Sequence, residues 1–99
     1  MTGRLVIANR GEIARRVLRA GRERGLAVAV ISTPEDADAC IRKEADAVLE
    51  VSSFLAGAEI VAAAKAWGAT LLHPGYGFLS ENAEFAEGVE AAGLSLIHI

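Results

Sequence analysis

Short apolar runs recur along the chain, and the segments between them repeat their apolar positions every three to four residues. Arg4 to Ala8, with Leu5, Val6 and Ile7 consecutive, reads as a buried strand. Asn9, Arg10 and Gly11 break it. A helix is then expected from about Glu12 to Arg24, because Ile13, Ala14, Val17, Leu18 and Gly21 fall on one face and Gly25 supplies a stop. Ala27 to Ile31 reads as a second strand. Thr33-Pro34-Glu35-Asp36 has the chemistry of a helix start: a capping hydroxyl, a proline suited to the first turn, and two acids favoured at the positive helix end. Ala37, Cys40, Ile41 and Ala45 form its expected inner face. Ala47 to Val51 is a third, short strand, and Gly57 to Trp67 an alanine-rich helix closed by Gly68. Thr70 to His73 is a fourth strand, followed by a glycine-rich loop from Pro74 to Leu79. Ser80 is placed to cap a helix from Glu81 to about Ala92, with Phe85, Val89 and Ala92 inward. Gly93 ends it, and Leu94 to Ile99 begins a fifth strand that stops with the chain, so the domain reads as cut rather than finished.

Strands alternating with helices, each strand apolar throughout rather than on alternate positions, predict an α/β domain. Its sheet is parallel and Rossmann-like, with helices on both faces and right-handed crossovers. Ninety-nine residues, 53% of them apolar and 23% charged, fit one globular domain with a modest core. There is no internal repeat, low-complexity tract or linker. No apolar run nears the ~20 residues of a membrane span, and the opening residues hold no apolar signal region; a cytoplasmic location and no membrane partner are expected. The single cysteine, Cys40, excludes an internal disulfide and fits a buried, inert thiol.

Charge changes the picture in one respect. The net value of −3 hides a division: residues 1–24 hold seven Arg against two Glu, while residues 25–99 hold three basic and eleven acidic groups. The acidic whole, and the lack of aromatics among the arginines, argue against nucleic acid. Arg16, Arg19 and Glu23 share one helix face. That face is either solvated, with Arg19 and Glu23 paired along the helix, or a subunit contact.

In an open parallel sheet, ligands bind beyond the carboxyl ends of the strands. Two expected loops lie there: Asn9-Arg10-Gly11-Glu12, and the run from His73 through Gly75, Tyr76 and Gly77 to Glu81 and Asn82. The first holds one glycine where a dinucleotide fingerprint needs three, and no phosphate-binding G-x-x-x-x-G-K-[ST] occurs. The second is either a tight turn with a helix cap or a direct ligand contact. A strand-end histidine such as His73 is more often hydrogen-bonded structure than a base. No second His or Cys stands at metal-ligand spacing, so no metal site is expected.

The runs LVIANRGEIARRVLRA (Leu5 to Ala20) and LLHPGYGFLSENAEFAE (Leu71 to Glu87) resemble the two signature stretches of the biotin carboxylase N-terminal domain, a likeness spanning about Arg4 to Leu94. The resemblance implies a pre-ATP-grasp domain over residues 1–94, the N-terminal segment of an ATP-dependent ligase in which ATP activates bicarbonate and the product carboxylates biotin on a carrier protein. ATP, Mg2+ and biotin are thus implied for the complete enzyme, with none expected to bind tightly to this segment alone. A biotin carboxyl carrier, a carboxyltransferase and a second copy of the enzyme are the implied partners. The principal catalytic residues of such enzymes follow this domain, so none is assigned here. The resemblance marks His73, Gly75, Tyr76, Gly77, Glu81 and Asn82, with Asn9, Arg10, Gly11 and Glu12, as supports of the active-site cleft. It marks Arg16, Arg19 and Glu23 as dimer contacts. After Leu94 the chain departs from the family's usual Gly-Pro ending, so residues 95–99 are expected to be a truncated or atypical tail. The competing expectation is a freestanding nucleotide-binding or dimerisation module of the same fold.

Overall fold

Each apolar run becomes a strand and each amphipathic segment a helix in the computed structural model, which describes residues 3–34, 39–53, 56–74 and 82–97. In chain order these are β1 (Arg4–Ile7), α1 (Gly11–Glu23), β2 (Ala27–Ser32), α2 (Ala39–Glu44), β3 (Ala47–Glu50), α3 (Gly57–Trp67), β4 (Leu71–His73), α4 (Ala83–Ala91) and β5 (Ser95–Leu96). The inward placement expected for Ala37 and Cys40 lies outside the described residues. So does the capping contact expected between Thr33 and residues 35–36; Thr33 itself forms an isolated bridge and Pro34 a turn.

The sheet runs β3-β2-β1-β4-β5 and every pairing is parallel. β1 lies at its centre, with Val6 opposite Ala29 on one side and Leu72 on the other. Leu5, Val6 and Ile7 are fully buried because successive strand side chains point to opposite faces and both faces are covered. Leu5, Ile7, Val28 and Val30 meet Ala14, Val17 and Leu18 of α1 and Ile41 of α2. Val6, Ala29, Ile31 and Leu72 meet Ile60 and Ala64 of α3 and Phe85 and Val89 of α4. Each fully buried aliphatic side chain contributes about 1.5–3 kcal/mol relative to exposure.

The division of helices follows from crossover handedness. From β1 through β2 to β3 the chain moves toward one edge; from β3 to β4 and β5 it moves toward the other. Keeping one hand while the direction reverses requires the helices to change faces. α1 packs so closely that a Cβ on Gly21 would stand 3.0 Å from Val28 Cγ2 and 3.1 Å from Leu5 Cδ2, which accounts for a glycine inside a helix. α3 ends as expected at Gly68, whose φ of +88° turns the chain so that its own N–H and that of Ala69 bond carbonyls of the last turn.

The fifth strand is shorter than the run 94–99 suggests. Ser95 and Leu96 pair with β4, and the Ile97 N–H donates to the Leu72 carbonyl at 2.9 Å.

Polar contacts fasten the amino edge of the sheet. The Arg4 guanidinium donates to the Trp67 carbonyl at 2.7 Å and lies 5.1 Å from the centre of its indole, worth about 0.5–1 kcal/mol at an exposed site. The Asp46 carboxylate accepts from the Val28 N–H at 2.8 Å and pairs with Arg22 at 3.1 Å, joining the α2–β3 turn to β2 and α1. The Val28 N–H holds the Asp46 carboxyl below its ordinary value; burial opposes it, and Arg22 adds a lesser lowering.

A carboxyl held low in the folded state stabilises above its unfolded pKa of about 4, and that stabilisation is lost as pH falls through the lower native value. The urea midpoint of the chain should therefore fall between about pH 5 and pH 2, and Asp46→Asn should flatten that fall while lowering the midpoint at pH 7. An unchanged pH slope in the variant would count against the assignment.

Candidate functional site at the carboxyl edge

Four polar side chains among the described residues are buried: Asn9, Ser32, Thr33 and His73. All four stand at the carboxyl ends of strands. Asn9 is two residues past β1, Ser32 ends β2 and Thr33 follows it, and His73 ends β4. Burying a polar group is costly unless it is hydrogen-bonded. Their gathering at one edge marks where the fold accepts polar chemistry, and it is the edge at which parallel α/β sheets hold ligands.

The first residues of the two expected loops meet there. β1 and β4 are neighbours, and between them the chain order reverses direction across the sheet. The Ala8 N–H donates to the His73 carbonyl at 2.8 Å, extending the ladder one step past β1. The Asn9 side-chain amide then donates to the Pro74 carbonyl at 3.1 Å, while its oxygen accepts from the Arg10 N–H at 2.8 Å. Pro74 and His73 are both under 2% exposed. Arg10 and Glu12 are exposed at the mouth of the turn, and Gly11 has a φ of +67°, a conformation costly for other residues.

Of the second loop, His73, Pro74 and Asn82 are described; Gly75, Tyr76, Gly77 and Glu81 lie outside the described residues. Asn82 is the N-cap of α4, its side-chain oxygen accepting from the Phe85 N–H at 3.0 Å. The capping residue is thus Asn82 rather than Ser80, and the helix opens at Ala83, two residues later than expected. Both residue types cap well; the one whose carbonyl begins the helical bonding does so here, the Ala86 N–H donating to the Asn82 carbonyl at 3.1 Å. Asn82, with Glu84, Phe85 and Gly88, also lines a groove of about 440 Å3 against Gly57, Ala58 and Val61 of α3.

A second polar cluster on the same edge was not singled out from the sequence. A groove of about 520 Å3 is lined by Ser32, Thr33, Pro34, Arg42, Glu50, Val51, Ser52 and Glu59. Arg42 donates to the Ser32 hydroxyl at 2.7 Å, and Glu59 accepts from the Ser52 hydroxyl at 2.6 Å and its N–H at 3.1 Å. The hydroxyl, then the N–H, lowers the pKa of the exposed Glu59 carboxyl. The available signal was the serine directly after each of two apolar runs, Ser32 and Ser52.

Arg16, Arg19 and Glu23 are exposed on one face of α1. The expected Arg19–Glu23 pair is not among the ion pairs of the described residues. Among those residues no three His, Cys, Asp or Glu side chains lie together as a metal would need, so they do not by themselves compose a magnesium site.

This geometry defines a doubly wound parallel α/β domain whose strand order reverses at the β1–β4 switch point. The family model described as the biotin carboxylase N-terminal domain matches residues 1–98, and the chain belongs to that family. The biotin carboxylase of Haemophilus influenzae is 45% identical over 98% of this chain and 23% of its own length. The propionyl-CoA carboxylase alpha chain of Ruegeria pomeroyi is 39% identical over 98% of this chain and 15% of its own. The biotin carboxylase domain of a thermophilic 2-oxoglutarate carboxylase, solved with bicarbonate, superposes with a TM-score of 0.90 at 38% identity, covering 97% of this chain and 23% of that one. The chain spans about a quarter or less of the length of these relatives.

Replacing Asn82 by Ala should cost about 0.5–2 kcal/mol through loss of the α4 cap, while Asn82→Asp should cost much less. Thermal unfolding of the three chains checks this, and equal midpoints for Ala and Asp would remove the cap from the account.

Proposed function

We propose that the chain is the first domain of an ATP- and bicarbonate-dependent carboxylase acting on biotin held by a carrier protein, and that it does not turn over alone. The observation that carries this is the bonding of Ala8 and Asn9, past β1, to His73 and Pro74, at the end of β4, at one sheet edge in a member of the biotin carboxylase family. The same domain of the thermophilic 2-oxoglutarate carboxylase, bound to ADP in one structure and to bicarbonate in another, supports the substrate class. In this reading ATP, magnesium and biotin are held chiefly by the parts of such enzymes that this chain does not match. Its own residues supply one wall of the cleft. Asn9, Gly11 and Pro74 shape that wall, Arg10 and Glu12 line its mouth, and the run through Gly75, Tyr76, Gly77, Glu81 and Asn82 extends it. A biotin carboxyl carrier and a carboxyltransferase are the corresponding partners, and the cytoplasm the corresponding location.

Joining this chain to the remainder of the Haemophilus influenzae enzyme, in place of the matched segment, should give bicarbonate- and biotin-dependent ATP cleavage within about tenfold of the parent. The 99 residues alone should show none and should give no calorimetric signal with ATP or NAD. A folded but inactive chimera would defeat the proposal, and tight nucleotide binding by the isolated chain would favour the freestanding module.

The exposed stripe of Arg16, Arg19 and Glu23 is proposed as a self-association surface. In the chimera, Arg19→Glu should raise the dimer dissociation constant at least about tenfold in sedimentation, with a weakened salt dependence. An unchanged constant would leave the stripe as a solvated face.

A further inference from the structure

The β1–β4 switch point poses a problem of satisfaction. Past Ile7 the chain leaves the ladder toward α1, and past His73 it leaves toward the second loop, yet both departures are buried. One more ladder bond, from the Ala8 N–H to the His73 carbonyl, serves the first step. At the next step the Pro74 carbonyl needs a donor and the Arg10 N–H needs an acceptor. Asn9 meets both needs with one side chain, at 3.1 Å and 2.8 Å. Only one orientation of the amide works, since the N–H must face its oxygen and the carbonyl its nitrogen. A carboxylate of the same shape would keep the bond from the Arg10 N–H and turn the contact with the Pro74 carbonyl into a repulsion. Glutamine would carry the amide too far. At 8% exposure Asn9 is not placed to meet a substrate itself.

We infer that Asn9 is a positioning residue: a latch fixing the direction in which the chain leaves β4 at Pro74. This rests on the carboxylase reading above. A shift of about 1 Å caused by a change remote from the chemistry can cost about 100-fold in rate. In the chimera, Asn9→Asp is expected to lower kcat for biotin-dependent ATP cleavage about 10–100-fold while KM for ATP moves less than about threefold. If the Asp variant does not fold, Asn9→Ser keeps an acceptor for the Arg10 N–H but cannot reach Pro74, and should show the same split. A kcat unchanged in both variants, or one that falls only with the folded fraction, overturns the inference.

An inactive parent chimera counts against the carboxylase reading alone, because the latch is also readable in the 99-residue chain. There Asn9→Asp or Asn9→Ser should shift the backbone amide resonances of residues 73–82 as well as those of 8–12, leaving 57–67 in place. Resonances of 73–82 that do not move, or shifts spread evenly through the core, would overturn it.

Discussion

Past Arg4 the central strand exposes no side chain. Leu5, Val6 and Ile7 are fully buried, and two strands flank β1. A strand so placed forces helices onto both faces of the sheet, and a chain with one crossover hand can supply them only by reversing its direction across the sheet partway through. The reversal separates β1 from β4 in sequence while making them neighbours in space. The loops leaving them part toward opposite faces, α1 on one and α4 on the other. The opening between departing loops is a consequence of burying β1. The site is therefore a product of topology before it is a product of any particular residue.

The two edges of the sheet are finished in different ways. At the amino edge, polar links are exposed or half-exposed: Arg4 on Trp67, and Asp46 between Val28 and Arg22. Their removal would loosen turns without leaving a buried charge. At the carboxyl edge, Asn9, Ser32, Thr33 and His73 are buried, so any unpaired group there carries its full desolvation cost. Each such contact tolerates one arrangement well and others poorly, which gives that edge a fixed geometry.

Much of this was legible in the chain. Apolar strands without alternation gave the parallel sheet, and the inward positions of α1 appear in the core as read. Glycine at 68 ends a helix where its left-handed backbone was expected. The placing of both loops at carboxyl ends of strands followed from the strand order, and β1 and β4 are neighbours in the sheet. Three features were not legible, each because it depends on distance across the fold. Ser80 and Asn82 stand two apart and both suit a cap; the register in which the helix begins its own hydrogen bonding selects Asn82. The pairing of Asn9 with Pro74 spans 65 residues, and nothing local to Asn9 announces its partner. The Ser32–Arg42 and Ser52–Glu59 contacts join strand ends to helices whose azimuth the sequence leaves open.

The charge division in the sequence has a spatial counterpart. α1 and α2, which cover one face, carry six basic and three acidic side chains; α3 and α4, on the other, carry one basic and four acidic. Counted over these helices alone, the two faces differ in charge. A basic face cannot associate with its own copy by charge alone, because a two-fold contact sets like against like. The stripe on α1 has what such a contact requires, an acid among the bases. With Arg19 and Glu23 four residues apart on one exposed face, a two-fold axis between them lets each arginine meet the glutamate of the other copy, twice over. A stripe of arginines alone would repel its twin; Glu23 makes self-association electrostatically consistent.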